Sequence, residues 1–205
     1  MSDKYSSMTE LEDKTEEGVD WERSTREKNS AVLISAIHGG AIEPGTTEIA
    51  DLISKKGGFD FYNFKGIKSK NNEELHVTSH HYDEPVLNKL IAEKEHALAI
   101  HGCKGEDEVV YIGGKDDEII SKLVKNFQKI GVKTEDSPSN LSGVNDNNII
   151  NCCKSGAGVQ LELTSGLRKK CFKNAKYNKK SREDRENWSD FMDDFTNQIV
   201  AAFEN

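Results

Sequence analysis

The chain has 205 residues, a net charge of −8, and 31% charged against 35% hydrophobic residues. That is long enough for one domain with a full core and short for two, and the acidic balance argues against a nucleic-acid binder. No run approaches the ~20 apolar residues needed to span a bilayer. The opening Met1-Ser2-Asp3-Lys4-Tyr5 has neither the basic nor the apolar region of a secretory signal. The expectation is a monomer made in the cytoplasm, away from membranes. Four cysteines with no Cys-x-x-Cys spacing read as reduced, mostly structural thiols.

Residues 1–28 are polar and acidic, with apolar anchors at Tyr5, Met8, Leu11, Val19 and Trp21. Met8 and Leu11 suit a short helix, and Val19 to Trp21 a turn docked on the body. The next stretch, Val32 to Ile37, is an apolar strand that runs into His38-Gly39-Gly40 and then Glu43-Pro44-Gly45. This puts an imidazole and a carboxylate on a tight loop at the carboxyl end of a buried strand, where open α/β sheets bind ligands. Such a pair suits Zn²⁺. It is also compatible with an ordinary strand–turn–helix junction. A helix follows over 46–56, with Thr46 as its cap and Ile49, Leu52 and Ile53 on its apolar face. Gly57-Gly58 ends it, and Phe59 to Phe64 alternates as a half-buried strand.

Leu75 to Pro85 holds His76, His80 and His81, three of the six histidines, beside Thr, Ser and Asp. Substrate contact is one reading, with His76 and His81 as the candidates. A second metal site and a hydrogen-bonded loop brace are the others. Pro85 to Glu95 reads as a helix leading to Ala97-Leu98-Ala99-Ile100-His101-Gly102, which repeats the strand–His–Gly design. His38, Glu43 and His101 would then meet on one sheet edge, a catalytic zinc set that leaves a position open for water. Cys103, two residues on, suits a wall of that site better than a ligand.

Val109 to Ile112 reads as a strand, Asp116 to Ile130 as an amphipathic helix, Val132 to Glu135 as a strand and Ile149-Ile150 as the start of a short helix. In Gly158-Val159-Gln160-Leu161-Glu162-Leu163 an acid stands where its neighbours are apolar, and a buried-looking Glu needs a partner. If Glu162 faces the metal it is the general base. Arg168 to Arg182 carries eight basic residues and no acid. That run either attracts an anionic substrate or is a solvated loop. Trp188, Phe191, Met192, Phe195, Ile199, Ala202 and Phe203 recur at helical spacing and read as core packing. The alternation of strands and helices predicts an α/β fold: an open, mostly parallel or mixed sheet flanked by helices.

With these pieces in order, the sequence resembles the phage-type poly-γ-glutamate hydrolases, zinc enzymes with a compact carboxypeptidase-like fold. The resemblance runs from about Tyr5 to Arg168. It rests on His38-Gly39-Gly40-Ala41-Ile42-Glu43-Pro44-Gly45-Thr46, Leu75-His76-Val77-Thr78-Ser79, Asp83-Glu84-Pro85, Ile100-His101-Gly102, Gly113-Gly114, Gly158 to Leu163, and Gly166-Leu167-Arg168. It implies one zinc ion per chain on His38, Glu43 and His101, a catalytic carboxylate at Glu162, and poly-γ-glutamate as substrate. Arg168 would grip a substrate carboxylate with two parallel bonds. It implies one zinc hydrolase domain over 1–205, with 1–28 packed on the body and 185–205 as a C-terminal amphipathic helix. Likeness to phage-encoded members implies release by host lysis. Two rivals remain: a zinc carboxypeptidase or amidase on small acyl-amino acids or γ-linked peptidoglycan peptides, and a non-catalytic module whose zinc has four protein ligands.

Overall fold

A computed structural model describes residues 3–204. Met1, Ser2 and Asn205, on which the leader and chain-end expectations partly fall, lie outside the described residues. Seven strands form one sheet in the order β1-β3-β2-β4-β7-β5-β6. In chain order these are β1 (Trp21–Arg26), β2 (Val32–Gly40), β3 (Asp60–Gly66), β4 (His96–Cys103), β5 (Val109–Gly114), β6 (Lys133–Asp136) and β7 (Val159–Thr164). The central β3, β2, β4 and β7 are parallel, whereas β1 and β5 pair antiparallel to their neighbours β3 and β7. The fold is thus an open mixed α/β sheet, as the alternation of elements predicts.

The helices are α1 (Met8–Lys14), α2 (Thr46–Gly57), α3 (Pro85–Ile91), α4 (Asp117–Lys129), α5 (Ser165–Lys170), α6 (Lys179–Glu183) and α7 (Asp190–Phe203). On one face of the sheet α2, α4 and α7 bury Ile49, Ile53, Leu123, Phe127 and Phe195 against Ile34, Ile100 and Leu161. The other face packs α1 and α3 against Leu33, Ile37, Tyr62 and Phe64. Both faces of the central strands are therefore covered, which is why β2 and β7 read as unbroken buried runs. Among the described residues, no helix is long and apolar enough to cross a membrane.

Two local expectations change. The turn expected near Val19 is present, and Trp21 docks on Phe64 while Val19 stays exposed, but the chain then continues as an edge strand, Trp21 to Arg26, that was not expected. The start of α2 is capped by Gly45, at φ 100°, and not by the Thr46 side chain, whose hydroxyl donates instead to the Glu43 carbonyl.

The topology places a ligand crevice. From β2 the chain moves to β3 on one side, then crosses back to β4 on the other, so the carboxyl ends of β2 and β4 flank a switch point. A bulge sharpens the effect. Ala36 pairs with Asn63 and Gly39 with Lys65, so β2 spends one extra residue between them. Strict alternation would send His38 to the face of Ile34 and Ala36; the extra residue turns it to the opposite face. There His101 and Glu162, partners in register on β4 and β7, also project.

Gly39 sits at this bulge without room for a side chain: an added Cβ would collide with the Thr47 hydroxyl, the Asn63 amide and, at 2.9 Å, the Phe64 carbonyl. Gly39→Ala is expected to destabilise the fold by about 1–3 kcal/mol through overpacking. Denaturant unfolding against the wild type measures it.

Candidate active site

His38 ends β2 almost wholly buried. Its Nε2 lies 2.8 Å from the Val77 carbonyl, which can only accept, so Nε2 carries a proton and Nδ1 is the atom turned inward. Nδ1 lies 3.2 Å from Glu43 Oε1 and 3.2 Å from His101 Nδ1. The second Glu43 oxygen accepts from the Gly102 amide at 2.7 Å and lies 3.8 Å from His101 Nδ1. The ends of β2 and β4 and the loop after Gly40 thus bring His38, His101 and Glu43 to one point. His101 Nε2 is buried without a partner.

His76 joins from the segment after β3. Its ring lies 4.0 Å from that of His38, centroid to centroid, and its Nε2 is 3.9 Å from Glu43 Oε1. The Asp3 carboxylate holds it by Nδ1 at 2.7 Å and accepts the Thr78 amide at 2.7 Å. Asp3 had no recognisable role in the sequence. Glu162 completes the group, buried, in register with His101, and lining the same cavity of about 600 Å³.

The electrostatics follow from burial and crowding. Burial alone would hold the His38 imidazole neutral, but the Glu43 carboxylate outweighs it and raises its pKa. Despite its own burial, Glu43 is held at about 2 by His38 and by its other histidine neighbours. Burial drives His101 down to about 3, an effect Glu43 offsets only in part. His76 is lowered by the His38 charge and by burial. Burial, then the negative charge of Glu43, pushes Glu162 up to about 8. The Cys103 thiol, which lines the same cavity, is raised to about 11, chiefly by burial and secondly by the Glu162 charge.

The donor set fits a zinc ion. Ligand atoms 2.0–2.2 Å from a tetrahedral zinc sit about 3.3–3.5 Å apart. His38 Nδ1 lies 3.2 Å from both Glu43 Oε1 and His101 Nδ1, close to that edge, whereas His101 Nδ1 is 3.8 Å from the other Glu43 oxygen, Oε2. His38, Glu43 and His76 also group closely enough to share an ion. Two imidazoles and one carboxylate are a recurrent catalytic zinc set.

Two residues expected at the substrate stand elsewhere. Arg168 is buried, and its guanidinium donates to the carbonyls of Leu163 (3.0 Å), Pro44 (2.7 Å) and Cys103 (2.9 Å) and to the Ser165 hydroxyl (3.4 Å). With four of its five N–H donors committed it has no pair left for the two parallel bonds expected to a substrate carboxylate. It clamps instead the residue after Glu43, the strand end after His101 and the residue after Glu162. His81 is exposed and lines a separate surface hollow with Ser6 and Cys152, whereas His80 reaches the site cavity. The short turn Ser79–His81 has no period from which to read this difference.

Comparisons with known proteins show the family and the fold. The sequence profile of the poly-gamma-glutamate hydrolase family matches residues 5–198. The chain belongs to that family. The match runs well past Arg168, through the basic segment and into α7. The protein is 38% identical over 174 residues to the UPF0714 protein YndL of Bacillus subtilis (strain 168), an alignment covering 83% of this chain and 67% of that protein. Among solved structures, a bacteriophage poly-gamma-glutamate hydrolase superposes with a TM-score of 0.94 at 30% identity, over 98% of this chain and 96% of that one. A zinc-free apo form of YNDL superposes at 0.91 with 34% identity, over 100% of this chain and 98% of that one.

Glu162 yields a test in metal-stripped protein. A carboxyl whose folded pKa is raised to about 8 stays protonated in the fold while the unfolded chain ionises. The unfolded state then binds fewer protons, so stability falls as pH rises from the ordinary carboxylate range toward 8. Glu162→Gln removes that contribution. Thermal melts from pH 5 to 8 are expected to decline less steeply for Glu162→Gln than for the wild type.

Proposed function

We propose that this protein is a zinc-dependent hydrolase of the γ-glutamyl amide bonds of poly-γ-glutamate. The observation that carries the reading is the meeting of His38, Glu43 and His101 at the carboxyl ends of β2 and β4, with Glu162 in register beside them. Family membership supplies the substrate class.

Zinc, when bound on His38, Glu43 and His101, supplies Lewis acidity and activates water. The chain's residues do the rest. Val77 fixes the His38 ring through Nε2, and Gly102 fixes the Glu43 carboxylate, so both present their free atoms inward without rearrangement. Glu162 accepts the proton of the attacking water and returns it to the leaving amine nitrogen. A raised affinity for a proton suits the delivery to the leaving amine; acceptance needs the ionised carboxylate, which a cation bound beside it would favour. Arg168 keeps the three segments in register through their carbonyls. His76, held by Asp3, lies tilted against the His38 ring and limits where that ring can swing.

The nearness of His76 favours a second reading, in which it joins as a fourth ligand and closes the site to water. Metal analysis of variants separates the two. His101→Ala is expected to lose both zinc and polymer cleavage. His76→Ala is expected to keep one zinc per chain, and Glu162→Gln to keep zinc while turnover falls at least ~100-fold, as loss of a general base does. Zinc loss in His76→Ala, with near wild-type cleavage by Glu162→Gln, would favour the closed site. Viscosity of a poly-γ-glutamate solution reports the cleavage.

A further inference from the structure

Each repeat of a γ-linked glutamate chain carries a free α-carboxylate, so a site that cuts it needs a cation to recognise one. Arg168 is poorly placed to serve, because it is buried and four of its five N–H donors are held by backbone carbonyls and the Ser165 hydroxyl. The basic run beyond it is also largely committed. Lys169 pairs with Glu106 at 2.8 Å, Lys170 with Glu108 at 2.5 Å, and Lys173 donates to the Glu186 carbonyl at 2.7 Å. Arg182 is buried against the Gly40 and Tyr177 carbonyls.

One cation is left at the cavity. Lys104 is the single lysine or arginine among the described residues that line it, and it is exposed. Among the described residues no carboxylate lies within ion-pair distance of its ammonium. Its backbone, in contrast, is held on both sides. Cys103 O accepts from Arg168 and from the Ser165 hydroxyl, and Gly105 O accepts from the Gly166 amide. Lys104 therefore stands three residues after His101 on a fixed peptide, with a flexible four-carbon stem that lets its charge reach over the rim.

We propose that Lys104 is the specificity-determining residue of this site, binding the α-carboxylate of a glutamyl unit next to the scissile γ-amide. The assignment rests on the hydrolase reading above. A compact ammonium meets a carboxylate as a point charge, tolerant of approach angle, which suits a polymer that must slide through the cavity. It also gives the selectivity a direction: neutral amides and α-esterified polymer lose the interaction, while free-carboxylate chains keep it.

The test uses the zinc-loaded protein, γ-linked glutamate oligomers of defined length, and the same oligomers with their α-carboxylates converted to amides. Lys104→Gln is expected to raise KM about tenfold for the free-carboxylate oligomers, the loss of one charge-assisted contact, with kcat and zinc content unchanged. Lys104→Glu should raise KM further, and Lys104→Arg should restore most of the loss. For the amidated oligomers, wild type and Lys104→Gln should have the same KM. An unchanged KM in Lys104→Gln, or a fall in kcat at constant KM, would overturn the assignment. If the wild type cleaves none of the oligomers, the hydrolase reading fails and calorimetric binding decides this one. Weaker binding of the free-carboxylate oligomer to Lys104→Gln than to wild type would uphold it, and equal binding would overturn it.

Discussion

Two imidazoles and a carboxylate share a buried corner of the cavity with atoms 3.2–3.8 Å apart. Such crowding of acceptors is unfavourable unless a cation or a proton sits among them, since buried polar atoms without partners cost free energy. The surrounding structure works to hold that unfavourable arrangement. The Val77 carbonyl takes the outward proton of His38, the Gly102 amide takes one Glu43 oxygen, and Asp3 takes the outward nitrogen of His76. Without those partners each ring would turn toward a better one. The cost is therefore spread over the ends of β2 and β4 and the segment after β3, and it is a reason to expect that a cation bound there would stabilise the fold.

The bulge in β2 belongs to the same constraint. A regular strand would send His38 into the face filled by Ile49 and Ile53, where an imidazole would find only hydrocarbon. One added residue reverses its direction, and the absence of a side chain at Gly39 lets β2, β3 and α2 close around the distortion. Arg168 then acts as a spacer between three chain segments. Its guanidinium lies so close to Gly102 that an added Cβ there would sit 2.7 Å from Cζ. Glycine after His101 is thus needed for the brace to fit, beyond any need for backbone freedom. The His-Gly pairs at both strand ends have steric causes, and the two causes differ.

Those strand ends are why so much of the site was legible in the sequence. An apolar run that stops at His-Gly announces a ligand loop, and an acid inside a buried run, such as Glu162, announces a partner. Elsewhere the sequence carried less. Asp3 meets His76 across 73 residues, and nothing in a polar N-terminal segment marks one aspartate among several. Trp21 to Arg26 is polar at most positions because an edge strand buries few of its side chains, so the alternation that identifies inner strands is missing. Arg168 was legible as a charge but not as a brace, since its partners are carbonyls, which every residue has. His76, His80 and His81 could be seen as a group, yet the direction of each depends on two short 3₁₀ turns with no repeating pattern.

Charge links the site to its surroundings. A chain of net charge −8 that handles a polyanion works against its own average field. Screening removes most of that objection, because at physiological ionic strength charges beyond about 8 Å contribute little to an exposed contact. What counts is the sign within the cavity, and the pairing of the basic segment shows how that sign is kept local. Lys169 and Lys170 are neutralised by Glu106 and Glu108 on the loop after β4, so they draw no polymer onto the flank of the molecule. Inside the cavity the negative charge of Glu43 is shared among histidines, and the proton affinity of Glu162 lessens its repulsion of an incoming carboxylate. An unpaired ammonium at the rim then faces little competition for an anion.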